Sequence, residues 1–168
     1  MRKGRRKLNQ AGMTLIELIV VILIIGILSA GAVAGVSYVN RMDASNTGEK
    51  LVSLLDRTRV YTISANGTVT LELKKEGNTY YGTLKNDGTV VDKVSLGSGN
   101  LKIKATKTVT SGGVSVDQTL NINSVTAYVI SYKKDNGAFA EAYKQIKIEG
   151  SKTRYIQMVH TTGRSYLK

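Results

Sequence analysis

"GMTLIELIVVILIIGILSAGAVAGV", residues 12–36, places one acid, Glu17, at the mouth of an otherwise uncharged apolar run. No charge follows between Leu18 and Asn40, and within Leu18–Val39 only Ser29, Ser37 and Tyr38 are polar. A bilayer core of about 30 Å needs about 20 apolar residues in a helix, so the run is long enough to span. Ahead of it, Arg2, Lys3, Arg5, Arg6 and Lys7 cluster without an acid. That asymmetry orients the span with its amino terminus in the cytoplasm.

An ordinary secretory signal puts its small-residue cleavage site after the apolar stretch. Here the order is reversed: the basic segment ends in "NQAG" and the apolar run follows. A cut between Gly12 and Met13 removes the basic leader and keeps the apolar helix. Hydrophobicity alone equally describes a plain single-pass anchor; the acid argues against it. Glu17 lies four residues after Met13, one turn along a helix and on the same face. A buried carboxylate without a counter-charge costs several kcal/mol. A free α-amino group at Met13, or that of a neighbouring helix, offsets this cost, and the positive end of the helix dipole lowers it further.

The segment "RRKLNQAG|MTLIELIVVILIIGIL" strongly resembles the processing site and helical start of type IV prepilins and pseudopilins. The resemblance implies that a membrane prepilin peptidase/methyltransferase cuts after Gly12 and methylates Met13, and that Glu17 serves assembly. It further implies other pilin-like subunits, in a homo- or hetero-oligomeric filament, and a membrane assembly platform as partners. Two departures stand out: Met13 occupies a position usually held by Phe, and Ala34 stands where many members have a helix proline. Gly31 with Gly35, and Gly26 with Ala30, form small-xxx-small pairs that permit close helix approach; small residues are also common in spanning helices generally.

The helical pattern continues past Arg41. Ala44, Thr47, Gly48, Leu51, Leu54, Leu55, Thr58 and Thr62 recur at helical spacing, with Asp43, Glu49, Lys50, Asp56, Arg57 and Arg59 on much of the other side. "SANG" (64–67) is a stop signal. A helix from about Met13 to about Ala65 is roughly 80 Å long. Its first half is apolar all round; its second half is amphipathic and needs a surface to cover it. Alternating segments supply one: "TVTLELKK", "TYYGTL", "TVVDKVSL", "LKIKATKTV", "VSVDQTLNI", "VTAYVISY", "YKQIKIE", "TRYIQMVH" and "GRSYL", with "NDG" (86–88) as a hairpin signal. The expected fold class is α+β: a long amino-terminal helix, transmembrane in its first half, packed on an antiparallel β-rich carboxy-terminal domain, as in pilins. The expected segments are a leader (1–12, removed), a transmembrane and assembly helix (13–40) and an exposed domain (41–168). The order of parts, with "AYVISYKKDNGAFA" and a closing "TGR" hairpin, is similar to the H-type minor pseudopilins and fimbrial minor subunits.

The formal net charge of +12 divides unevenly: without the leader, 19 basic residues face 12 acidic ones. The remainder suits an anionic partner, and equally a lysine-decorated β surface that resists edge pairing. The last seventeen residues hold Lys152, Arg154, Arg164 and Lys168 and no acid, which makes them the first place to look for a DNA or surface contact. Catalysis finds little support. There is one histidine, His160, and no cysteine, so a multi-histidine or thiolate metal site is excluded. Ser98 in "GSGN" lacks nucleophile-elbow spacing, Asp135 and Asn136 lack the rest of a calcium loop, and no phosphate loop occurs. The expectation is a structural protein, not an enzyme, without cofactor or metal. It sits single-pass in the bacterial cytoplasmic membrane and then in an extracellular or periplasmic filament.

Overall fold

A computed structural model describes residues 15–168, and the side chains of all of these except 27–43. The chain divides into two units, Met1–Tyr38 and Val39–Lys168. Among the described residues there is one helix, α1 (Leu15–Ser64), followed by nine strands. The first four are β1 (Val69–Glu76), β2 (Thr79–Asn86), β3 (Thr89–Ser98) and β4 (Lys102–Ser111). The others are β5 (Val114–Asn121), β6 (Tyr128–Ser131), β7 (Tyr143–Glu149), β8 (Thr153–Val159) and β9 (Arg164–Leu167). They form two antiparallel sheets, ordered β3-β2-β1-β6 and β5-β4-β7-β8-β9. This is the α+β arrangement expected of a pilin-like chain.

In the second unit, the carboxy-terminal part of α1 buries the face that its periodicity marks. Ala44, Thr47, Gly48, Leu51, Leu54, Leu55, Thr58 and Thr62 are all buried, while Glu49, Lys50, Asp56 and Arg57 are exposed. The apolar members of that face join Leu71, Leu73, Tyr80, Ile103, Ile146 and Ile156 from both sheets in one cluster. Three polar residues enter this core because each finds an acceptor. Thr58 and Thr62 donate to the carbonyls one turn back, at 2.7 and 2.8 Å, and Thr47 reaches across to the carbonyl of Leu96 at 2.9 Å. Arg59 departs from the expected exposed side. It is half-buried, and its Nε donates to the carbonyl of Gly137 at 2.9 Å.

β1 shows why the strands lie as they do. Val69, Leu71 and Leu73 alternate inward against Thr70, Glu72 and Lys74 outward. The β2–β3 connection is the two-residue pair Asp87-Gly88, both at positive φ (48° and 80°), the conformation a tight hairpin requires. Asp87 tolerates it while its carboxylate accepts from the Thr68 amide at 2.7 Å. Close approach also selects glycine. A Cβ at Gly82 would run into the Leu54 side chain, so its absence lets the helix sit against β2.

Candidate functional site

At the amino-terminal end, Glu17 occupies the first turn of α1. Around it, Leu15, Ile16 and every residue from Leu18 to Ile25 are exposed within their unit. A helix apolar on all sides needs lipid or other helices around it. Apart from its own helix backbone, no atom of the described residues lies within 4 Å of where a Cβ at Gly26 would stand, so packing among the described residues does not demand a glycine there. Gly12 and Met13 lie outside the described residues, as do the side-chain surroundings of Ala30, Gly31 and Gly35.

At the other end, strand parity sorts the basic residues. Arg164, Tyr166 and Lys168 alternate along β9 and its extension, and so share one face. Tyr166 lies opposite Gln157 and Arg164 opposite Val159, and the backbones of Lys168 and Tyr155 exchange hydrogen bonds at 2.7 and 3.1 Å. Tyr155 in turn faces Lys147 on β7, whose ammonium stands 5.8 Å from the ring centroid. The sheet therefore carries Lys147, Tyr155, Gln157, Arg164, Tyr166 and Lys168 together on the side away from the helix. Arg154 belongs to the other parity, with buried Ile156 and Met158, and Lys152 sits in the β7–β8 turn. Two of the four expected contact residues thus come together and two do not. Tyrosines and lysines together suit a stacking surface, and cross-strand packing is the default for Tyr155; Tyr166 is the member that the charge count misses, and the spacing of two from Arg164 to Tyr166 to Lys168 is the signal that finds it.

The acids of this sheet are already engaged. Glu149 accepts from Lys147 and Lys104, which hold its carboxyl below the usual range, and Glu149 raises Lys147 in return. Asp117 is likewise lowered, by Lys144 and then Thr108. Arg164 and Lys168 have no acid within ion-pair distance among the described residues. His160 Nδ1 lies 2.8 Å from the Glu141 carbonyl, which accounts for it as a strand-end polar contact.

Residues 7–33 match the family model described as the prokaryotic N-terminal methylation motif. The chain is type IV prepilin-like. The match spans about a sixth of the sequence, and no curated protein or solved structure matches the chain. That motif supports a pilin- or pseudopilin-like subunit processed by prepilin peptidase, and it suggests a membrane-anchored precursor. Among the described residues no helix is long and apolar enough to cross a membrane. The run from 18 to 40, expected to do so, extends into positions whose side chains lie outside the described residues.

Proposed function

We propose that this chain is a structural subunit of a type IV pilus or a type II secretion-like pseudopilus, without catalytic activity. On this reading it is cut between Gly12 and Met13 and methylated on Met13. It then waits as a single-pass protein, amino terminus inside, until the first half of α1 enters the filament. One observation carries the reading: the acid Glu17 lies in the first turn of a helix whose surrounding residues are apolar and exposed. Packing such a helix among others is favourable only where the carboxylate meets a cation, so Glu17 acts as a register mark against an amino terminus. The order of elements, from the arginine-bearing helix end to the closing hairpin, supports an H-type minor subunit.

The test replaces Glu17. Glu17→Gln and Glu17→Val leave membrane insertion intact and sharply reduce filament incorporation; normal incorporation of both variants in an otherwise wild-type cell would sink the assignment.

A second reading rests on the outer face of the β8–β9 hairpin, where Arg164, Tyr166, Lys168 and Tyr155 stand together. Tyrosine rings beside cations suit single-stranded nucleic acid, by stacking and phosphate contact. The full chain in detergent then retards labelled DNA with a steep salt dependence, and Arg164→Ala with Lys168→Ala flattens the slope. Absence of retardation at low salt retires this reading and leaves the structural one standing.

A further inference from the structure

We propose that Asn66 is a modification site: in the folded chain it converts spontaneously to aspartate and isoaspartate, while Asn136, in the same dipeptide context, is held against that reaction. The sequence contains two Asn-Gly pairs, Asn66-Gly67 and Asn136-Gly137. Glycine lacks a Cβ, so its amide nitrogen is the least hindered backbone nucleophile toward the side-chain carbonyl carbon that precedes it. By sequence the two pairs are equals. The fold sets them apart.

Asn66 and Gly67 lie between the last bond of the helix and the first bond of the sheet. The Ala65 amide donates to the Tyr61 carbonyl at 2.8 Å, and pairing resumes at Thr68, whose amide donates to the Asp87 carboxylate at 2.7 Å. Between these two, the Gly67 amide donates to no acceptor among the described residues, and the Asn66 side chain makes no hydrogen bond there either. Both residues are exposed, so water reaches them. The main chain beside them is fixed: the Asn66 carbonyl accepts from Asn86 Nδ2 at 3.0 Å, and Gly67 takes a φ of +113° that suits glycine. The nitrogen and the side chain that must meet are therefore unencumbered.

The second pair is tied at the atoms the reaction uses. The Gly137 amide donates to the Lys133 carbonyl at 2.9 Å, and Asn136 Oδ1 accepts from the Ala138 amide at 2.9 Å. The Gly137 carbonyl accepts from Arg59 Nε at 2.9 Å and Gly163 packs against it, so Gly137 is buried. Attack there must first break the bond to Lys133 and release the Asn136 side chain. At Asn66, by contrast, hydroxide takes the Gly67 amide proton and the nitrogen bonds directly to Cγ. The Cγ–Nδ2 bond breaks, Nδ2 leaves as ammonia with a proton from water, and a cyclic imide remains. Water opens either carbonyl of the imide, giving aspartate or an isoaspartate whose main chain runs through Cγ. Nothing is oxidised, and water is the co-reactant. Either product adds a carboxylate near that of Asp87, which lies against Gly67, and the two like charges repel. The change marks the age of the chain whether or not it enters a filament.

The test ages the full chain in detergent, warm and at mildly alkaline pH, and follows both pairs by mass spectrometry after trypsin. Cuts after Arg59, Lys74, Lys134 and Lys144 place them on separate peptides, 60–74 and 135–144. Conversion exchanges the side-chain NH2 for OH, and the aspartate and isoaspartate peptides share that mass and separate on a column. Asn66 is expected to convert at least about tenfold faster than Asn136, the factor set by the hydrogen bonds that must open at the second pair. In guanidinium chloride, where the fold is lost, both convert at similar rates. Asn66→Ser removes the reaction from the first peptide and leaves the second unchanged. The proposal is overturned by an Asn66 that stays intact in the folded chain, by equal conversion of both residues there, or by a faster Asn136.

Discussion

The hydroxyl of Tyr132 donates to the carbonyl of Leu55, 3.1 Å away, joining the end of the short strand β6 to the middle of the buried helix face. Tyr132 is 6% exposed and stacks on Phe139 with ring centroids 4.7 Å apart, so the phenol is held from both ends. Tyr132→Phe keeps the stack and removes the one hydrogen bond. A loss of about 1 kcal/mol is expected, read as a lowered midpoint in thermal unfolding of the full chain. An unchanged midpoint would show that the contact contributes nothing.

Thr47 and Gly97 form a second such join. The Thr47 hydroxyl bonds to the carbonyl of Leu96, and a Cβ on the next residue, Gly97, would collide with that hydroxyl and come within 2.7 Å of Leu101. Gly97→Ala therefore destabilises by about 1–3 kcal/mol, the range for overpacking a filled site. Thr47→Ala relieves part of the collision, so the double variant loses less than the sum of the singles. Strict additivity in denaturant titrations would refute the shared contact.

Alkaline pH should weaken the domain. Burial raises the phenols of Tyr128, Tyr132 and Tyr143 above the ordinary tyrosine range, against the lowering effect of the Ser131 hydrogen bond in Tyr143. The folded state then keeps protons that the unfolded chain releases. Their stabilising share is complete below the unfolded value of about 10 and is lost as pH climbs beyond it. Midpoints measured from pH 8 upward are expected to fall, and Tyr132→Phe to fall less steeply. At the acid end, Asp117 and Glu149 act in the opposite sense, losing their contribution as pH drops below about 4. Asp117 is exposed and Glu149 partly so, and salt screens that loss.

Maturation has a direct readout in mass. Protein recovered from its host, with the maturation protease present, is expected to begin at Met13 and to carry one added methyl group. Gly12→Val should leave the full basic leader in place. A wild-type chain that still begins at Met1 would remove the amine on which the proposed role of Glu17 depends.

Much of this was legible in the residues themselves. Periodicity marked the buried helix face from Ala44 to Thr62, and alternation between Gly- and Asn-rich breaks marked the strands, because both patterns depend on local geometry that each segment carries with it. The charge order around Gly12 and Glu17 likewise reads along the chain. Tertiary structure alone decided what depends on neighbours distant in sequence: that β1 lies beside β6 and β4 beside β7, and that Arg59 turns to Gly137. It also separated Arg154 from Arg164 and Lys168, since a strand's parity acquires a meaning only once one side is covered. The valines of β5 follow the same rule. Alternation predicts their strand, but only the length by which the hairpin overshoots the core leaves Val114 and Val116 bare.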